Sequence, residues 1–264
     1  MLYNSYMKTL YQVVGIIVVV IIGFYVFNSS MNKETQVGTP TQTVQKPQVI
    51  PISHATAILR WGDSVFYTDP TGGADAFEGQ PAANIILVTD IHADHLSTST
   101  LEAVVGPNAA LIVPQAVKDQ LPAPLDSRAK VLKNGETMTE QGLQISAIPM
   151  YNLPGPEEAR HTKGRGNGYV IEKDGFRVYV AGDTAGIPEM RTLTDIDIAF
   201  VPMNLPYTMG IEEAADAVLA FKPQQVYPYH YRGPDGLADV GKFKELVNAG
   251  DPNIEVILAN WYPQ

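Results

Sequence analysis

The chain has 264 residues, 45% of them hydrophobic, which suffices for one large folded domain. It contains no cysteine, so disulfides, thiol nucleophiles and thiolate metal ligands are excluded together. Eighteen basic residues against 28 acidic ones leave a net charge of −10, and so acidic a chain is not expected to be a general nucleic-acid binder.

Residues 1–9 form a short N-terminal tail. The stretch that follows, LYQVVGIIVVVIIGFYVF (10–27), is uncharged and dominated by Val and Ile. As a helix it would be ~27 Å long, close to the ~30 Å of a bilayer's hydrocarbon core. It therefore reads as a transmembrane helix or signal anchor, because a core helix would show a polar stripe. This makes the chain a single-pass membrane protein, or a secreted one if the segment is cleaved. Lys8 and Lys33 nearly balance across it, and the free amino terminus tips the domain toward the extracytoplasmic side. Residues 28–48, rich in Ser, Thr and Gln, read as a flexible linker with a reach of about 25 Å.

Residues 49–264 read as one domain, which carries nearly all of the acidity. SHATAILR (53–60) and SVFYTD (64–69) make a hairpin across a Gly-Asp turn. IILVT (85–89) is a continuous apolar run, as in a strand buried on both faces. Ser97 caps a short helix through Val105, and ALIVP (110–114), a helix at 115–121 and LQISAIPM (143–150) come next. The second half repeats the theme with strands at 168–172, 176–184, 197–203, 225–230 and 254–259 and helices at 211–222 and 239–249. Ile211, Ala214, Ala215, Val218 and Leu219 give the first of these helices an apolar face. Strands alternating with helices imply sheets covered by helices, and the two halves match only in element order.

Four of the five histidines fall at strand ends or in loops beside acidic residues. His92 and His95 lie in TDIHADHL (89–96) with Asp90 and Asp94, His161 in EEARHTKGRGNG (157–168), and His230 at the end of QVYPYH. Asp183 adds a carboxylate at another strand end. Imidazole and carboxylate without thiolate suit Zn(II), Mn(II) or Fe(II), and strand-end loops are where a sheet aims distant residues at one point. The plainer alternative for TDIHADHL alone is a polar surface loop.

On these residues the chain resembles the metallo-β-lactamase-fold hydrolases. Their H-x-H-x-D-H signature appears as Asp90-Ile91-His92-Ala93-Asp94-His95, followed in order by His161, Gly182-Asp183-Thr184 and His230. The opening SHATAILRWGDSVFYTDP (53–70) is similar to the branch containing ascorbate-6-phosphate lactonase and N-acyl phosphatidylethanolamine phospholipase D. The resemblance spans 52–260. It implies an α/β four-layer αββα sandwich with two divalent metal ions, zinc first and Mn(II) or Fe(II) as alternatives. Asp90, His92 and His161 would hold one ion, Asp94, His95 and His230 the other, and Asp183 would bridge them. Asp94 and Asp183 would be catalytic in the hydrolysis of an ester, lactone or phosphodiester of a small-molecule or lipid-like substrate.

Asp90 departs from the pattern, which has His there. A carboxylate at that position would keep the first metal with altered preference or leave that site partly empty. The second case leads to another reading, a catalytically inactive tethered module for a metal or ligand. Redox chemistry on iron is a third, for which the chain lacks room for a flavodoxin-like domain. Among neighbours, Asp69 would orient a ligand histidine or cap a turn, and His54 would be a hydrogen-bonded strand residue or lie at the site. Arg160, Lys163 and Arg165 would bind an anionic substrate or form a solvated face. Tyr207 and Tyr231 would donate to a developing oxyanion or simply pack.

Overall fold

Alternate residues of the first strands belong to two different hydrophobic cores, as the period-2 geometry of a strand requires. In the computed structural model, which describes residues 45–153 and 160–263 together with 6–8, 10–12, 14 and 17, Ala57, Leu59, Trp61 and Phe66 enter one core. Ile58 and Tyr67, beside them in the chain, enter the other. Ile85 and Leu87 part from Ile86 and Val88 in the same way, as do Ala110 and Ile112 from Leu111 and Val113. A sheet buried on both faces is why these segments read as continuous apolar runs.

That first sheet runs β1 (Gln48–Ser53), β2 (Thr56–Trp61), β3 (Ser64–Thr68), β4 (Ile85–Leu87), β5 (Ala110–Val113) and β6 (Ala129–Val131), in spatial as in chain order. The second comprises β7 (Thr137–Glu140), β8 (Leu143–Met150), β9 (Gly166–Lys173), β10 (Phe176–Val180), β11 (Ile198–Pro202), β12 (Gln225–Tyr229) and, past a two-residue hairpin of β13 (Arg232–Gly233) and β14 (Gly236–Leu237), β15 (Glu255–Val256). Each sheet begins as an antiparallel meander and continues parallel, from β3 onward in the first and from β10 onward in the second. The two halves thus share connectivity as well as element order.

The larger core lies between the sheets and continues under the helices Ile211–Phe221 and Val240–Gly250, through Ala214, Val218, Phe243 and Val247. The smaller core lies under the helices Thr98–Val104, Gln115–Lys118 and Leu125–Arg128. Helix, sheet, sheet and helix make four layers. Ser97 caps the first helix through its Oγ, and Asp239 caps the last by accepting from the Lys242 N–H at 2.9 Å.

Several boundaries differ from the sequence reading. SHATAILR breaks at His54, whose φ of 46° turns the chain between β1 and β2. IILVT stops pairing at Leu87 because the Thr89 N–H donates to the Asp69 carboxylate instead of to a neighbouring strand. IEVILA contributes only Glu255–Val256, an edge pairing with β12.

Residues 1–43 form a separate unit from 44–264. The single-pass membrane placement with an extracytoplasmic domain is corrected: among the described residues no helix is long and apolar enough to cross a membrane, which takes about 20 consecutive apolar residues. Most of 10–27, and of the linker all but Gln45–Gln48, lie outside the described residues.

Trp61 joins the two sheets. Its ring meets Phe176 edge-on at 5.5 Å and lies 6.3 Å from Phe66, while its Nε1–H donates to the Gln45 carbonyl at 2.6 Å. Trp61→Ala should destabilise the domain by about 3–5 kcal/mol, read as a shift of the urea unfolding midpoint with the slope unchanged.

Candidate metal centre

Four of the strands in the parallel parts of the two sheets end at one rim and deliver polar residues there. Asp69 follows β3, the Asp90–His95 segment follows β4, Asp183 follows β10 and His230 follows β12. His161 arrives from the connection between β8 and β9. Asp69 and His230 hold left-handed backbone, φ 44° and 47°, which non-glycine residues rarely adopt.

Asp90, His92 and His161 form one cluster whose donor atoms lie within 4.8 Å of each other, and Asp94, His95 and His230 form a second on the same criterion. Asp183, buried, lies between them. Its Oδ2 is 3.2 Å from His161 Nε2 and 3.3 Å from His95 Nε2, and its Oδ1 is 3.5 Å from His230 Nε2. These four inward atoms, the three Nε2 and Asp183 Oδ1, are buried with no hydrogen-bond partner among the described residues. Orphaned imidazole and carboxylate atoms converging from four loops are what divalent cations satisfy, so the residue set fits a metal centre.

The outward nitrogens are all engaged. His95 Nδ1 lies 2.9 Å from Asp69 Oδ2 and 3.0 Å from Thr89 Oγ1. Asp69 in turn accepts from the Thr89 N–H and hydroxyl, both at 2.7 Å. His161 Nδ1 is 3.0 Å from Asn152 Oδ1, and His230 Nδ1 is 3.3 Å from Asn204 Nδ2. Each ring is thereby turned with Nε2 toward the centre.

Charge and burial oppose each other here. Burial alone would raise Asp183, yet His230 and His95 hold its carboxyl well below the usual carboxylate range. Burial would lower His95, but Asp183 and Asp69 outweigh it and raise the imidazole well above its ordinary value. Burial leaves Asp69 raised in spite of His95. Asp94 and Asp90 are both lowered against burial, Asp94 by the nearby His230 and His95 and Asp90 by His92 and Arg165.

Of the residues flagged around the site, Asp69 abuts a site histidine through its carboxylate. Arg160 and Tyr207 line the cleft with His92, Asp94, His161, Asp183 and Asn204, and the Arg160 guanidinium sits 4.7 Å over the Tyr207 ring. Lys163 is turned to Glu189 and the face of Tyr151. Arg165 is turned to Asp90 and does not line the cleft. His54 meets the His230 ring edge-on at 5.5 Å, with its Nδ1 3.4 Å from the Tyr262 hydroxyl. Tyr231 is buried against Tyr262.

Thr89, Asn152, Asn204, Met150 and Tyr229 escaped the sequence reading. The Gly182 N–H donates to the Tyr229 hydroxyl at 2.8 Å, and the Asp183 N–H to Met150 Sδ at 3.0 Å. Only Thr89, adjoining the motif, carried any local signal.

Comparison with known proteins identifies the family. The model of the beta-lactamase superfamily domain matches residues 48–230. A UPF0173 metal-dependent hydrolase from Thermococcus onnurineus is 32% identical over 181 residues, 67% of this chain and 79% of that protein. Another, from Pyrococcus abyssi, is 29% identical over 217 residues, 78% of this chain and 94% of its own. A crystal structure from Parabacteroides distasonis, assigned as a metal-dependent hydrolase, superposes with a TM-score of 0.69 at 35% identity, covering 81% of this chain and 98% of that one. The hydrolase domain accounts for nearly the whole of the Pyrococcus relative, so these relatives lend no support to the membrane placement corrected above. By family match and by identity, the chain belongs to the metallo-β-lactamase superfamily, among the UPF0173 metal-dependent hydrolases.

Proposed function

We propose that the chain hydrolyses an anionic ester, lactone or phosphodiester at a two-metal centre, with Asp90, His92 and His161 as ligands to one ion, Asp94, His95 and His230 as ligands to the other, and Asp183 between them. The observation that carries this reading is the convergence of four buried, unpartnered donor atoms on one point. Divalent ions, zinc first and Mn(II) or Fe(II) as alternatives, would supply Lewis acidity that acidifies water and polarises the bond to be cleaved. The alternative, a catalytically inactive module for a metal or ligand, rests on Asp90; the closeness of its carboxylate to His92 and His161 favours a ligand role instead.

The chain's own residues divide the remaining work. Of the two carboxylates that line the cleft Asp94 is the more exposed, its side chain 44% exposed against 4% for Asp183, so it is the better placed to accept and pass on a proton. Arg160, held over Tyr207 at the cleft wall, would bind the anionic part of the substrate. The cleft encloses ≈ 170 Å³, below the ~300–1,000 Å³ of pockets for drug-sized ligands, which suits entry of the reacting group alone. An adjoining cleft beyond Asn204, lined by Leu205 and Leu237, would take the apolar remainder of a lipid-like substrate. The opening SHATAILRWGDSVFYTDP supports a place near the lactonase and phospholipase branch.

A panel of carboxylic esters, lactones and phosphodiesters, assayed with zinc-loaded and chelator-stripped protein, tests the reading. Activity should vanish on stripping and return with zinc; no turnover on any of the three classes by metal-replete protein would sink it. Asp94→Ala should lower kcat by about two orders of magnitude or more while the unfolding midpoint stays unchanged. Full activity in that variant would remove Asp94 from the chemistry.

Asp69→Asn tests the positioning of His95. An amide cannot serve the imidazole and Thr89 as the carboxylate does, so affinity for the ion held by His95 should fall about 10–100-fold. Competition with a chromophoric chelator measures this directly, and an unchanged dissociation constant would reduce Asp69 to a turn residue.

A further inference from the structure

Asp90 stands where the family pattern has histidine, and the structure shows what accompanies the change. Its carboxylate is fully buried and receives a fork of two hydrogen bonds from Arg165, Nε to Oδ1 at 3.0 Å and Nη2 to Oδ2 at 2.8 Å. Oδ2 also lies 2.9 Å from His92 Nδ1 and 3.8 Å from His161 Nε2. Both oxygens are thus fixed by the guanidinium, while Oδ2 also faces the two histidines of its cluster. Gly166 permits the approach: a Cβ there would sit 2.8 Å from the Thr89 carbonyl and 3.3 Å from Asp90 Oδ1.

The charges match as well as the geometry. A neutral imidazole at position 90 would leave the site with two carboxylates, Asp94 and Asp183. Three carboxylates and one guanidinium carry the same formal charge of −2. An added anion without Arg165 would be a buried charge lacking a partner, and a guanidinium without Asp90 would be an uncompensated cation beside a cation site.

We propose that Asp90 and Arg165 act as one unit in place of the family's first histidine, the carboxylate supplying the donor atom and Arg165 serving as a positioning residue that fixes it and cancels its charge. The inference rests on the two-metal reading above. It has a counter-intuitive consequence. Restoring the family's own ligand with Asp90→His should damage the first site, because Arg165 then faces a neutral ring and an incoming cation; Arg165→Met added to it should repair the site.

The test is a zinc titration of the metal-free full-length chain by competition with a chromophoric chelator, for the parent, D90H and D90H/R165M. The parent should bind two ions. In D90H the weaker step should fall about tenfold or more, and in the double variant it should return to within a few-fold of the parent, because like charges at short range inside a protein repel by more than the ~1.4 kcal/mol that tenfold represents. The tighter step, and the circular dichroism spectrum, should stay constant across all three. Equal affinities in D90H and D90H/R165M would overturn the coupling while leaving two metals intact. A parent that binds one ion overturns the two-metal reading and this inference with it. Should D90H fail to fold, recovery of folding in the double variant is the same rescue, read by circular dichroism, and failure of both variants counts against the proposal.

Discussion

The carboxylate of Asp183 is the group on which the rest of the site depends. A buried anion costs several kcal/mol unless charge is brought to it, and three imidazole nitrogens surround this one at 3.2 to 3.5 Å. Holding it there occupies residues from several strands of the second sheet. Gly182 turns the chain at φ 67°, a position where a Cβ would meet Met150 Sδ at 2.5 Å. Tyr229 from β12 accepts the Gly182 N–H, and Met150 from β8 accepts the Asp183 N–H. The first sheet supplies the histidine opposite, His95, with Asp69 and Thr89 behind it. Neither sheet contains the site alone, so the sandwich must close before the donors converge, and metal binding is coupled to folding.

The buried histidines are held from behind by two kinds of group, a carboxylate (Asp69) for His95 and amides (Asn152 and Asn204) for His161 and His230. The difference has a chemical consequence. A carboxylate behind an imidazole makes it a stronger base than an amide does. His95 alone lies between two carboxylates, Asp69 at Nδ1 and Asp183 at Nε2, which raise its imidazole well above the ordinary value. The centre is therefore two unequal half-sites sharing one anion.

The residues that converge were legible in the sequence because their signals are local: Asp90, His92, Asp94 and His95 in TDIHADHL, a Gly-Asp-Thr and His230 where apolar runs end, and His161 in a loop beside acidic residues. Arg165 was legible only as a basic residue near His161. Its partner Asp90 is 75 positions away, and no periodicity relates them. Asn152, Asn204 and Tyr229 were silent for the same reason, since an amide in a loop and a tyrosine in a strand gain meaning only from what lies across the sheet. Strand ends misled where a side chain took over a backbone partner, as Asp69 does at Thr89.

Backbone strain follows the same logic as charge. Three of the non-glycine residues with positive φ, His54, Asp69 and His230, lie at or beside the centre. Left-handed backbone disfavours side chains by ~1–3 kcal/mol per residue, and glycine would relieve it. At Asp69 and His230 glycine would also delete the group that holds His95 and a donor facing Asp183. His230 is tied down from behind, its N–H donating to the His54 carbonyl at 3.2 Å, so one strained residue braces the other. Chemistry and conformational preference conflict at these positions, and the side chain is retained because a bent strand end is what points it inward. The packed sheets below supply the stability that the rim gives up.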